Sequence, residues 1–167
     1  AAGKTITLMG IGGAATAICA QAALDGVKNI HVFARASSRH LARIQNLAAV
    51  LEASTSCHVS LHDNENRTDL KQCLSESVLF VNATSVGMAP DTEACILPDI
   101  SWLPSGTAVA DIIYNPWETR LLQKARAAGL KAFNGYSMLL YQGAEAFRIW
   151  TGQEMPVEEV RKYLQEQ

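Results

Sequence analysis

The chain has 167 residues, 49% of them hydrophobic and 18% charged, with a formal net charge of −2. That is the length and composition of one globular domain, able to bury about 70% of its unfolded surface, and the near-zero charge gives no reason to expect a nucleic-acid or membrane partner. No apolar run of about 18 residues and no signal-peptide pattern occurs, and Cys19, Cys57, Cys73 and Cys95 show no C-x-x-C spacing, so free thiols in a cytoplasmic protein are expected.

In chain order, Ile6–Met9 reads as a strand and Gly13–Leu24 as an Ala-rich helix. Ile30–Ala34 is a second strand, Ser38–Ala53 a second helix, Val59–Leu61 a short third strand with the polar exit DNEN, and Thr68–Leu74 a third helix. Ser77–Ala83 and Thr107–Tyr114 are continuous apolar runs, as strands buried on both faces require. Between them, Ser85–Gly106 is a long irregular stretch with three prolines, and loops of that length in compact domains tend to be functional. Thr119–Ala128 is a helix stopped by Gly129, Ala132–Asn134 a last strand, and Met138–Trp150 and Val157–Gln165 are closing helices. Strict strand–helix alternation predicts a doubly wound parallel α/β sheet (Rossmann) of about six strands in the order 3-2-1-4-5-6. The chain lacks an initiator Met, and it is expected to be one dinucleotide-binding domain, residues 1–167, cut from a longer protein.

The first strand runs into GIGGAA, which fits G-x-G-x-x-A at Gly10, Gly12 and Ala15. A glycine turn at this place lets backbone approach a pyrophosphate, and the helix start offers free N–H groups and a positive dipole end to an anion. A dinucleotide that carries only a ribose hydroxyl normally meets an acid about 20 residues later. Here no Asp or Glu occurs between Gly26 and Leu51, whereas strand two ends in FARASSR. Arg35, Ser37 and Arg39 suit a 2′-phosphate, each charge-assisted contact contributing about 1.5–3 kcal/mol. NADP is therefore expected over NAD, and a methyltransferase cofactor is disfavoured. Arg43 reads as a solvated helix residue, and Trp117 and Trp150 as packing.

Further motifs join these in order: VNATSVGM at Val81–Met88, DIIYNPWET at Asp111–Thr119, and NGYSMLLYQGAEAFRIWTG at Asn134–Gly152. Together they resemble the C-terminal, cofactor-binding domain of the shikimate dehydrogenase family, which includes quinate/shikimate dehydrogenases, from Gly3 to about Gly152. Arg35 and Arg39 match that family's arginines, while Ala34 and Ala36 depart from its Asn and Thr. The literal Asn66-Arg67-Thr68 lies after strand three, too far along to replace that segment.

The resemblance implies that Gly10, Ile11, Gly12, Gly13, Ala14 and Ala15 cradle the pyrophosphate and that Arg35, Ser37 and Arg39 face the 2′-phosphate. It places Thr84 and Ser85 beside the cofactor, Ile112, Gly135 and Met138 around the nicotinamide, and Tyr114 and Gln142 toward a shikimate- or quinate-class substrate. Ser137 stands where a glycine is common in the family, and Tyr136 adds bulk beside it. The family's catalytic Lys and Asp come from an N-terminal substrate domain, so no catalytic residue is expected in this chain. Asp111 reads as a strand-end cap. No metal is expected: His58 and His62, four apart in an extended strand, stand about 13 Å from one another. The implied activity is NADP(H)-dependent reduction of 3-dehydroshikimate, with turnover absent from the isolated chain. An NAD-dependent quinate enzyme, a methylene-tetrahydrofolate dehydrogenase and a non-catalytic nucleotide sensor stand as alternatives.

Overall fold

The computed structural model describes residues 1–165. Its elements are β1 (Thr5–Met9), α1 (Gly13–Leu24), β2 (Asn29–Ala34), α2 (Leu41–Ser54), β3 (His58–Asp63), α3 (Arg67–Ser75), β4 (Ser77–Asn82), β5 (Ala108–Asp111), α4 (Arg120–Ala127), β6 (Lys131–Phe133), α5 (Tyr136–Thr151) and α6 (Val157–Gln165). All strand pairings are parallel, and the order is β3-β2-β1-β4-β5-β6, as the alternation predicts.

Alternate residues of each strand feed two cores. Ile6 and Leu8 of β1, Ile30 and Val32 of β2, and Val59 of β3 pack with Ala15, Cys19, Ile44 and Leu51 from α1 and α2. Met9, Phe33, Phe80 and Val109 pack on the other side with Leu70 and Leu74 of α3 and Leu121 and Leu122 of α4. The four cysteines are free thiols, three of them buried.

Several boundaries differ from the sequence reading for local reasons. α2 begins at Leu41 rather than Ser38, because turns closed by Ser38 N–H to the Arg35 carbonyl and Leu41 N–H to the Ser38 carbonyl consume the intervening residues. β5 stops at Asp111 rather than Tyr114, since its carboxylate accepts the Ile113 N–H and bends the chain off the sheet. β3 runs longer, because all six of its residues pair with β2. α5 starts two residues early, with Asn134 Oδ1 accepting the Tyr136 N–H. The long stretch after β4 is only partly a site loop: a 3-10 turn at Ile100–Trp102 is flanked by Leu97 and Leu103, both buried in the α3–α4 core. Asn66, in the literal Asn-Arg-Thr, caps α3 by accepting the Asp69 N–H.

Candidate functional site, a dinucleotide groove

The chain leaves β1 in one direction to β2 and returns on its other side to β4, so the carboxyl ends of β1, β2, β4 and β5 open onto a crevice. Two cavities lie there, of about 510 and 470 Å³. Thr84 and Ser85 line both, which makes them one groove.

The glycine turn forms one wall. Gly10 has φ of +110°, and a Cβ there would come 2.6 Å from the Ala83 carbonyl oxygen, so its bare backbone is what lets β1 and β4 close on each other. Gly12 differs: a Cβ added to it meets nothing within 4 Å. It is the N-cap of α1, with no side-chain cap and no acid in the first turn, so the leading N–H groups of α1 have no side-chain acceptor and carry a positive dipole end behind them. Ala15 is fully buried against the sheet. Room beside Gly12 and an uncapped helix start fit a pyrophosphate.

Arg35, Ser38, His40 and Asn64 line the 510 Å³ cavity beyond the turn, together with Ala34 and Phe33. Among the described residues no carboxylate lines this end. Asn64 is among the lining residues, and its Oδ1 is buried without a hydrogen-bond partner. Ser37 and Arg39 are exposed and outside the lining, and Arg39 Nε donates to His40 Nε2 at 3.3 Å. The turn thus brings Ser38 and His40 to the cavity beside Arg35. Asn64 belongs to the DNEN exit of β3, and its position at a strand carboxyl end is the signal that could have found it.

A buried polar network fixes the centre of the groove. Asn82 Nδ2 donates to the Val86 carbonyl (3.2 Å) and to Asp111 Oδ1 (3.1 Å), while its Oδ1 accepts from Thr84 N–H (3.1 Å) and Thr84 Oγ1 (2.7 Å). Asp111 accepts in addition from Ile113 N–H (3.1 Å) and Thr119 Oγ1 (2.7 Å), and Thr119 caps α4. Burial pushes the Asp111 carboxyl above its ordinary range, and the hydrogen bonds from Thr119, Ile113 and Asn82 oppose that. Asp111 is therefore more than a strand-end cap. It joins the Thr84 loop, the Ile112–Tyr114 loop and α4.

The 470 Å³ cavity is lined by Met88, Ile112, Ile113, Tyr114 and Met138 beside Thr84 and Ser85. A Cβ on Gly135 would sit 1.7 Å from the Ile112 carbonyl oxygen, and Gly135 N–H donates to the Ile113 carbonyl at 2.9 Å, so this glycine holds the lining loop against the start of α5. Gln142 is exposed one turn after Met138 and lines neither cavity. Neither Tyr136 nor Ser137 lines the 470 Å³ cavity: Tyr136 is buried with its ring 4.9 Å from Trp117, and Ser137 faces a separate hollow with Trp117 and Phe133. Trp150 does not pack as expected. It is 82% exposed at the end of α5.

Residues 135–165 match the family model described as the shikimate 5′-dehydrogenase C-terminal domain. The chain is 48% identical over 164 residues to the shikimate dehydrogenase (NADP(+)) of Streptococcus pneumoniae, covering 98% of this chain and 56% of that protein. It superposes with a TM-score of 0.89 on the Listeria monocytogenes shikimate 5-dehydrogenase solved with shikimate and NAD, at 44% identity, covering 98% of this chain and 56% of that one. Against the Corynebacterium glutamicum quinate dehydrogenase solved with NAD, the TM-score is 0.80 at 28% identity, covering 98% and 55%. The chain spans about half the length of the curated relatives it matches. Motifs, strand order and these likenesses agree: the chain belongs to the shikimate dehydrogenase family, and it corresponds to that family's C-terminal domain.

Proposed function

We propose that this chain is the NADP(H)-binding domain of an enzyme that interconverts 3-dehydroshikimate and shikimate. The observation that carries the proposal is the continuous groove with the glycine turn, Arg35 and no carboxylate at one end, and an apolar wall of Ile112, Met88 and Met138 at the other. Gly10–Ala15 receive the pyrophosphate, and Arg35 with Ser38 and His40 receives the 2′-phosphate; Ser37 and Arg39 stand one step outside. Thr84 and Ser85 take the middle of the ligand, and Ile112, Gly135 and Met138 the nicotinamide. The cofactor supplies hydride chemistry. This chain's part is to hold it in register, keep water off the apolar wall, and present Tyr114 and Gln142 toward the substrate.

Oxidation of a substrate hydroxyl needs a base within hydrogen-bond reach. Among the described residues no Lys or His lines the 470 Å³ cavity, and Asp111 is committed to three buried donors. The family resemblance assigns the proton-handling Lys and Asp to a substrate domain outside residues 1–167. An NAD-dependent reading has one specific support, the NAD found in the Listeria and Corynebacterium neighbours.

Parallel calorimetric titration with NADP⁺ and NAD⁺ tests the assignment. The expected result is one site that prefers NADP⁺, with Arg35→Ala weakening NADP⁺ by about 10- to 100-fold, equivalent to 1.5–3 kcal/mol, and leaving NAD⁺ nearly unchanged. Shikimate added with NADP⁺ should give no turnover. Preference for NAD⁺ would move the chain to the second reading, and turnover by this chain alone would refute the division of labour.

A further inference from the structure

We propose that His31, His62 and Cys73 bind a single divalent cation of the zinc class on the α3 face of the sheet. The ligand atoms of these three side chains lie within 4.8 Å of one another. Tetrahedral zinc with N and S ligands sets its donors about 3.4–3.6 Å apart, so closing this cluster takes a shift on the order of 1 Å.

The arrangement follows from register. In the β2–β3 pairing His31 stands opposite Ser60 and Phe33 opposite His62, so His31 and His62 are diagonal neighbours on one face. α3 passes over that face and brings Asp69 and Cys73, four residues and one turn apart, to the same place. A hollow of about 230 Å³ opens there, walled by the three candidate ligands with Asp69, Gln72 and Glu76 at its rim.

Each element of the cluster has the partner that a metal ligand needs. His62 Nε2 is 3.9 Å from Cys73 Sγ, and its other nitrogen, Nδ1, faces Asp69 Oδ2 at 3.6 Å. A carboxylate behind a ligating imidazole fixes its tautomer and raises its basicity. The Ser60 hydroxyl now joins His31 Nδ1 (2.7 Å) and His62 Nε2 (2.8 Å). It carries one hydrogen and can donate to only one of those nitrogens, so the other contact is an imidazole N–H donating to the Ser60 oxygen. Burial and the neighbouring His62 push the His31 imidazole below its ordinary range. Burial, with Asp69 and Glu76 nearby, pushes the Cys73 thiol up to about 11. Coordination therefore forms an S–metal bond, breaks the S–H bond and releases that proton to solvent. Two imidazoles and one thiolate leave a fourth tetrahedral position toward the open hollow, where water completes the shell.

The test needs neither cofactor nor substrate. Zinc is titrated into the reduced chain against a chromophoric chelator, and Co²⁺ is then used as a spectroscopic substitute. The expected result is one ion per chain and, with Co²⁺, a thiolate-to-metal charge-transfer band in the near ultraviolet. His31→Asn, His62→Asn and Cys73→Ser should each weaken binding by more than about 100-fold, and Asp69→Asn by about 10- to 100-fold. Cys73 is buried, so circular dichroism and thermal unfolding without metal accompany every variant, and the half-buried His31 serves as the arm least exposed to misfolding. No stoichiometric binding, or a cobalt band that survives Cys73→Ser in a folded protein, would overturn the site.

Discussion

Gly12 and Gly135 are the same residue type in the same groove, yet their surroundings set opposite demands. Gly135 lies under the Ile112 carbonyl with no room for a methyl group. Gly135→Ala must displace the Ile112–Tyr114 loop or the start of α5, and the expected loss of stability is about 3 kcal/mol, read by urea unfolding. Gly12 faces open space, and its φ of −73° suits any residue. Gly12→Ala should cost at most about 1 kcal/mol in stability while weakening NADP⁺ by more than about tenfold, because the added methyl occupies the place assigned to the pyrophosphate. Equal effects of both substitutions on stability would contradict this contrast.

At the scale of elements, Asn82 and Asp111 turn three strand and helix ends into one unit. Asp111→Ala strands the Asn82 amide, the Ile113 N–H and the Thr119 hydroxyl in a buried site, and a cost of about 2–4 kcal/mol is expected in denaturant unfolding. The carboxyl's raised pKa also has a sign. The folded chain holds this proton more tightly than the unfolded one, so stability drains away as pH rises from the ordinary 3.8 through the raised value. Wild type should therefore lose stability relative to Asp111→Asn as pH climbs through that window, a trend that unfolding curves at successive pH values would reveal. The sequence showed these residues as members of two motifs. It could not show that they bond to each other, because that depends on β4 and β5 pairing Asn82 with Asp111.

The same division between local and non-local information explains the whole molecule. Apolar runs and a glycine turn made six strands, their order and the position of the groove legible, since each signal sits within a few residues. Arg35 was legible because it ends a recognisable strand. Asn64 and the choice of Ser38 and His40 over Ser37 and Arg39 depend on how a turn folds back over the strand ends. Along β3, His58 pairs with Glu52 and His62 faces Asp69. Only register across β2 and β3 could reveal His31 as the neighbour of His62. The exposure of Trp150 is equally non-local, because nothing in its helix says what, if anything, lies over it.

Because Thr84 and Ser85 line both cavities, the two halves of the proposed dinucleotide would meet a single loop. Asn82 fixes Thr84 within that loop, so what the first occupant spares the second is the settling of Ser85 against the ligand. Adenosine 2′,5′-bisphosphate and nicotinamide mononucleotide, offered as separate molecules, should then bind cooperatively, each lowering the other's Kd by the same factor of several-fold. Titrating one fragment with the other absent and then saturating measures that factor. Its value is the portion of the intact ligand's affinity that comes from neither half alone.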